Sequence, residues 1–171
     1  MYKLIITEKP SMAYAYARAL GVKEKKDGYI EGKGNIISWC LGHMEEMASP
    51  EVYDEKYATW RKEDLPILPE KFRWVVTTEK KAQFALLKSL MSREDITELI
   101  CATDAGREGE LIFRLVYMKA GCKKPFKRLW ISSMEDKAIQ EGFASLKDGS
   151  SYDNLYQAAL CRSEADWLVG I

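Results

Sequence analysis

The run from Thr97 to Arg114, Thr-Glu-Leu-Ile-Cys-Ala-Thr-Asp-Ala-Gly-Arg-Glu-Gly-Glu-Leu-Ile-Phe-Arg, reads as a buried strand that stops at a carboxylate, turns through glycine and opens a helix. Leu99 to Ala102 is apolar without alternation, the pattern of a strand covered on both faces in a parallel sheet. Ligands of open parallel sheets collect outside the carboxyl ends of the strands, and Asp104 lies just past such an end with Gly106 and a helix start behind it. Tyr2 to Thr7 is a second β-rich run, ending at Glu8 before Lys9-Pro10-Ser11 and a helical stretch. If the two strands are neighbours, Glu8 and Asp104 converge at one rim of the sheet.

Two ionised carboxylates about 4 Å apart repel by about 4 kcal/mol at an effective dielectric near 20, so a cation or a proton must relieve them. A hard divalent cation such as magnesium would take oxygens from Glu8, Asp104 and Glu108 and fill its shell with water and substrate phosphate. A proton would instead raise the pKa of one acid, which suits a general acid near neutrality. Gly106 exposes backbone N–H groups at the mouth of the helix that starts near Arg107, where the helix dipole and the Arg107 charge favour an anion. Lys9, beside that turn, reads as a clamp on the same phosphate. As plain helix-start chemistry, Asp104 would cap the helix, Glu108 would face its dipole and Glu110 would be solvated.

The remaining chain alternates strands and helices, which implies an α/β fold with right-handed parallel crossovers. Four core strands are predicted: Tyr2–Thr7, Phe72–Thr77, Leu99–Ala102 and Phe126–Ile131. The helices expected around them are Met12–Leu20, with Ser11 as cap and Gly21 as stop, Glu79–Met91, Glu108–Ala120, Glu135–Leu146 and Tyr152–Gly170. Tyr29–Glu31 and Asn35–Leu41 read as a hairpin turned through Gly32-Lys33-Gly34. Residues 48–69 dissolve into prolines, charges and aromatics, with one or two helical turns near Val52 to Trp60. Lys123, Lys124, Lys127 and Arg128 form a basic cluster around Pro125 that reads as a solvated loop.

Lysines plus arginines number 26 and so do the acids, so any nucleic-acid contact must be local. Cys40, Cys101, Cys122 and Cys161 form no paired motif and point to free thiols in a reducing cytosol, hence a cytoplasmic location. No run of about 18 apolar residues suggests a membrane span.

Read together, these pieces resemble the Toprim domain of type IA DNA topoisomerases, specifically the topoisomerase III branch. The resemblance rests on Glu8-Lys9-Pro10-Ser11, Trp39-Cys40-Leu41-Gly42-His43, Tyr53 to Trp60, Asp64-Leu65-Pro66, Asp104 with Arg107-Glu108-Gly109-Glu110, and Arg162 with Asp166-Trp167-Leu168, in that order along nearly the whole chain. The family's metal signature is DxDxE, and Gly106 stands at its middle acid. The resemblance implies a Rossmann-like parallel four-stranded sheet flanked by helices, with an inserted hairpin and irregular segment. Residues 1–150 would be the Toprim domain, with 28–69 inserted, and 151–171 a helix opening the next domain.

It further implies that Glu8 gives a proton to the leaving 3′ oxygen during strand cleavage, that Lys9 holds the scissile phosphate, and that Asp104 and Glu108 carry most of a weakly bound magnesium. The helix carrying Arg162 and Asp166, whose four-residue spacing by itself reads as a surface ion pair, would lie beside the path of single-stranded DNA, with His43 as a further DNA contact. The nucleophilic tyrosine of such enzymes, followed by one residue, an arginine and a threonine, would lie in the remaining domains of the same polypeptide. Two other readings of the acids are direct phosphoryl transfer, as in Toprim primases and nucleases, and a non-catalytic DNA-binding module.

Overall fold

The computed structural model describes residues 1–170. Strand β1 (Tyr2–Thr7) runs through the centre of the molecule with Leu4, Ile5 and Ile6 wholly buried. Pro10, whose fixed φ suits a first helical turn, opens α1 (Pro10–Leu20). Lys9 rather than Ser11 is therefore the N-terminal cap residue, and it makes no side-chain cap bond. Met12, Ala13, Tyr16 and Ala17 form the buried stripe of this helix, and Gly21, at φ 71°, ends it in the left-handed conformation that glycine adopts freely.

The chain continues through β2 (Glu24–Lys25), β3 (Ile30–Gly32), β4 (Asn35–Trp39), β5 (Glu45–Met47), α2 (Pro50–Tyr53) and β6 (Trp74–Val76). After these come α3 (Lys81–Met91), β7 (Ile96–Ala102), α4 (Arg107–Lys119), β8 (Phe126–Arg128), α5 (Asp136–Phe143), β9 (Lys147–Asp148) and α6 (Asp153–Gly170).

The main sheet has the order β2-β3-β4-β1-β7-β8-β9, and its four inner strands, β4, β1, β7 and β8, are parallel. The mixed α/β class and the four-stranded parallel core thus hold, with one exchange of membership. Residues 72–77 do not join the core: β6 pairs antiparallel with β5 in a separate two-stranded ribbon, and Val75 is exposed. The vacant place beside β1 goes to β4, the second strand of the hairpin, whose Ile36, Ile37 and Ser38 are buried on both faces of the sheet. A central parallel strand needs cover on both sides, and only the hairpin strand receives it.

Helices α1 and α5 cover one face, packing Met12, Tyr16 and Ile139 against Ile5, Ile37 and Ile100. On the other face α3 and α4 bring Leu87, Leu90, Ile112, Phe113 and Val116 onto Leu4, Ile6, Leu99 and Cys101. Each such side chain fully buried contributes roughly 1.5–3 kcal/mol. The far side of α4 is covered in turn, because α6 packs Tyr156 and Ala159 on Leu111 and Leu115. Helix α4 is therefore enclosed between the sheet and α6, which explains why charged residues along it are buried. Among the described residues no helix is long and apolar enough to cross a membrane.

Candidate functional site

Thr7 at the end of β1 is in register with Trp39 of β4 and Ala102 of β7, so three parallel strands end level at one rim. The chain leaves β1 toward β4 and leaves β7 toward β8, so the crevice between β1 and β7 is where the topology switches direction. That crevice is the position at which open α/β sheets bind ligands. Glu8 and Asp104 stand on its two sides.

The convergence read from the sequence is present: the Asp104 backbone N–H donates to Glu8 Oε1 at 3.4 Å. Half-burial pushes the Glu8 pKa up, and the neighbouring Asp104 carboxylate pushes it further. The residues around Glu8 are tied down by backbone bonds, with Cys40 N–H donating to Thr7 O at 2.8 Å and Gly42 N–H to Glu8 O at 3.0 Å. The Thr7 hydroxyl donates to Lys9 O at 2.9 Å, which leaves the exposed Lys9 side chain free at the rim.

On the other side of the crevice, Gly106 is the N-terminal cap residue of α4 and Arg107 its exposed first residue. Asp104 is no side-chain cap, since no such bond closes this helix. The close approach of α4 to the end of β7 depends on Gly109, where a Cβ would lie 2.0 Å from the Asp104 carbonyl oxygen. Any side chain at that position would drive Asp104 away from Glu8. The Thr103 hydroxyl fastens the same contact by donating to Gly109 O at 2.7 Å.

Glu108 does not join the other two acids. Its Oε2 lies 3.0 Å from His43 Nε2, and both side chains are largely exposed. Among the described residues no three His, Cys, Asp or Glu side chains gather closely enough to hold a metal. A magnesium ion that keeps most of its waters is nonetheless held by one or two carboxylates plus substrate phosphate, and Asp104 beside Glu8 offers that donor set.

Two assignments made from sequence are overturned by burial. Glu110 is fully buried rather than solvated, and Arg128 belongs to the core rather than to a solvated basic loop. Glu110 Oε1 accepts from Arg128 Nε at 3.0 Å and its Oε2 accepts from Arg114 Nε at 2.7 Å. Arg128 then donates to the carbonyls of Thr103 and Asp104, each at 2.7 Å, while Arg114 reaches Gly149 O at 2.8 Å and Asp153 Oδ1 at 2.9 Å. The buried triad therefore grips the backbone that presents Asp104. The one hint in the sequence was the four-residue spacing of Glu110 and Arg114, which places them on one helix face.

Tyr16, on the first helix and given no site role from sequence, lies close to the acids. Its ring is buried beside an open cleft of about 340 Å³ between α1 and residues 131–134, with Asp104 at the edge. Burial, and after it the Asp104 charge, pushes the phenol up to about 12. Arg162 and Asp166 are both exposed on α6, with no ion pair between them among those of the described residues. The structure does not bring these two residues into contact with the acid pair.

A parallel sheet covered by helices on both faces, with an acid pair at its switch point, defines a Rossmann-like domain. The family model described as "Toprim domain" matches residues 3–134, and the chain belongs to that family. Within it, the chain is 55% identical over all 171 residues to the DNA topoisomerase 3 of Staphylococcus epidermidis and 52% identical over 169 residues to that of Shouchella clausii. It spans 24% and 23% of the length of these relatives, about a quarter of each. Among solved structures, full-length topoisomerase I from Thermotoga maritima superposes with a TM-score of 0.63 over 97% of this chain and 24% of that one, at 18% identity. That likeness shows the fold.

Proposed function

We propose that the chain is the part of a type IA topoisomerase that supplies the general acid and the phosphate-holding rim for reversible cleavage of single-stranded DNA. The observation that carries this reading is Glu8, placed against Asp104 at the switch point with its pKa raised by burial and by that neighbouring charge. A carboxyl that stays protonated above its usual range can give a proton to a leaving 3′ oxygen and take one back on resealing. Lys9 and Arg107 stand exposed on the two sides of the acids and supply cationic contacts for the phosphate. His43, Gly106, Arg162 and Asp166 belong to the same DNA-facing surface in this reading, with α6 opening the domain that follows.

Strand cleavage also needs a nucleophile, which this reading assigns to a tyrosine in the remainder of the polypeptide. The purified 171-residue chain is therefore expected to leave supercoiled plasmid unchanged, while the full-length protein relaxes it without ATP. Relaxation by the short chain alone would sink the proposal.

Magnesium would be held mainly by Asp104, with Glu8 and Glu108 reached through water, and would supply positive charge to the phosphate oxygens. Glu108 is engaged with His43 and Gly106 brings no carboxylate, so affinity without DNA is weak. Calorimetric titration of the chain with magnesium chloride is expected to give millimolar binding or none. A micromolar dissociation constant would contradict this donor set.

A further inference from the structure

A cavity of about 570 Å³ lies between the β5–β6 ribbon, the C-terminal half of α4 and the inner side of α6. It shares no lining residue with the acid pair: it begins at Leu115, eight positions along α4 from Arg107, or roughly 12 Å at 1.5 Å per residue. Its walls are largely apolar, formed by Phe72, Trp74, Leu115, Met118 and Leu160. A pocket of this size has the dimensions of a ligand site, and charged side chains stand among its apolar walls.

The buried carboxylate in it that lacks a partner is Glu45. Its side chain is 4% exposed, and its Oε2 has no hydrogen-bond partner. Burial pushes its pKa up to about 7, with Lys119 pulling the other way. The neighbours do not complete it: across the ribbon Glu45 faces Val76, and the Lys119 ammonium donates to the Trp74 carbonyl at 2.9 Å. Three acids, Glu45, Glu70 and Glu164, line the cavity against Lys71 and the already engaged Lys119. A buried carboxyl without a partner is costly, and a cation with an apolar stem would satisfy both it and the walls.

Three acids against two lysines favour a cation over a nucleic-acid phosphate here. What fits is an arginine or lysine side chain on an apolar peptide segment. The relatives are about four times as long as this chain, so a large remainder of the same polypeptide is available to supply one. We propose that this groove seats a basic side chain from the remainder of the same polypeptide, with Glu45 as its counter-charge. The docking does not depend on the acid-pair reading, because no residue is shared.

Benzamidinium, an aromatic ring bearing one delocalised cation, is a suitable probe, and neutral benzamide is its control. Titration calorimetry on the 171-residue chain is expected to show benzamidinium binding at least about tenfold tighter than benzamide. Glu45→Gln is expected to abolish that difference, and Met118→Trp, which narrows the mouth without touching Glu45, to weaken both ligands. Circular dichroism of each variant checks that the fold is retained. The full-length protein is expected not to bind the probe, because its own side chain fills the groove. The proposal is overturned if the short chain fails to bind benzamidinium, if a folded Glu45→Gln variant binds it unchanged, or if the full-length protein binds it as well as the short chain does.

Discussion

Glu110→Ala is expected to lower the stability of the chain by about 3–5 kcal/mol, the range for breaking a buried charge pair by removing one partner. Glu110 balances two arginines at once, and Arg128 has no exposed side-chain surface through which water could compensate it. Against a total stability of about 5–15 kcal/mol for a folded domain, this loss leaves the native state marginal. For a chain of this size the melting temperature should fall by about 6–20 °C. Arg18→Ala, which removes an exposed pair with Asp136, provides the contrast and is expected to change stability by less than about 1 kcal/mol. Thermal unfolding of both variants is the measurement, and an equal effect of the two would refute the assignment of the triad. Because Arg128 also holds the carbonyls of Thr103 and Asp104, amide exchange in residues 103–106 should accelerate in Glu110→Ala beyond the global change.

The acid pair was legible because local pattern alone located it. Two unalternated apolar runs each ended at one carboxylate, and strand and helix alternation implied that both ends shared a rim. The buried triad was not legible, since Glu110 and Arg128 sit on different elements and a charged residue seen singly is usually exposed. Their burial follows from α6 covering α4, a tertiary contact with no local signature. The same reason accounts for the exchange between β4 and β6. Both segments have β-branched and aromatic residues, and only the packing of helices onto both faces of Asn35–Trp39 decides which enters the core. His43 and Glu108 are 65 positions apart, so the contact that draws Glu108 away from the other acids could not be read along the chain. Glu45 passed unnoticed for the opposite reason: one acid in a short polar strand looks like surface until the ribbon folds over it.

In the full-length protein, Glu8→Gln is expected to lower the rate of strand cleavage by about 10²–10⁴-fold, the usual contribution of a positioned general acid. Glutamine keeps the size of the side chain and an acceptor for the Asp104 N–H but cannot transfer a proton, so DNA affinity should stay within a few-fold of the parent. The pH dependence gives an independent check, and its sign follows from the causes of the shift. Burial and the Asp104 charge both favour the protonated form of Glu8, so the competent acid persists above the usual carboxylate range and is lost as pH rises through the raised value. In magnesium-free buffer, where loss of a metal ligand plays no part, Asp104→Asn removes one of these two causes, lowers the Glu8 pKa and moves the alkaline fall in cleavage rate to lower pH. Glu8→Gln should abolish that limb altogether, leaving a low and flat profile. Single-turnover cleavage of an oligonucleotide across pH 5–9 or so separates the cases. A Glu8→Gln protein that cleaves at the parental rate, or an alkaline limb that stays in place in Asp104→Asn, would mean that the proton comes from another group.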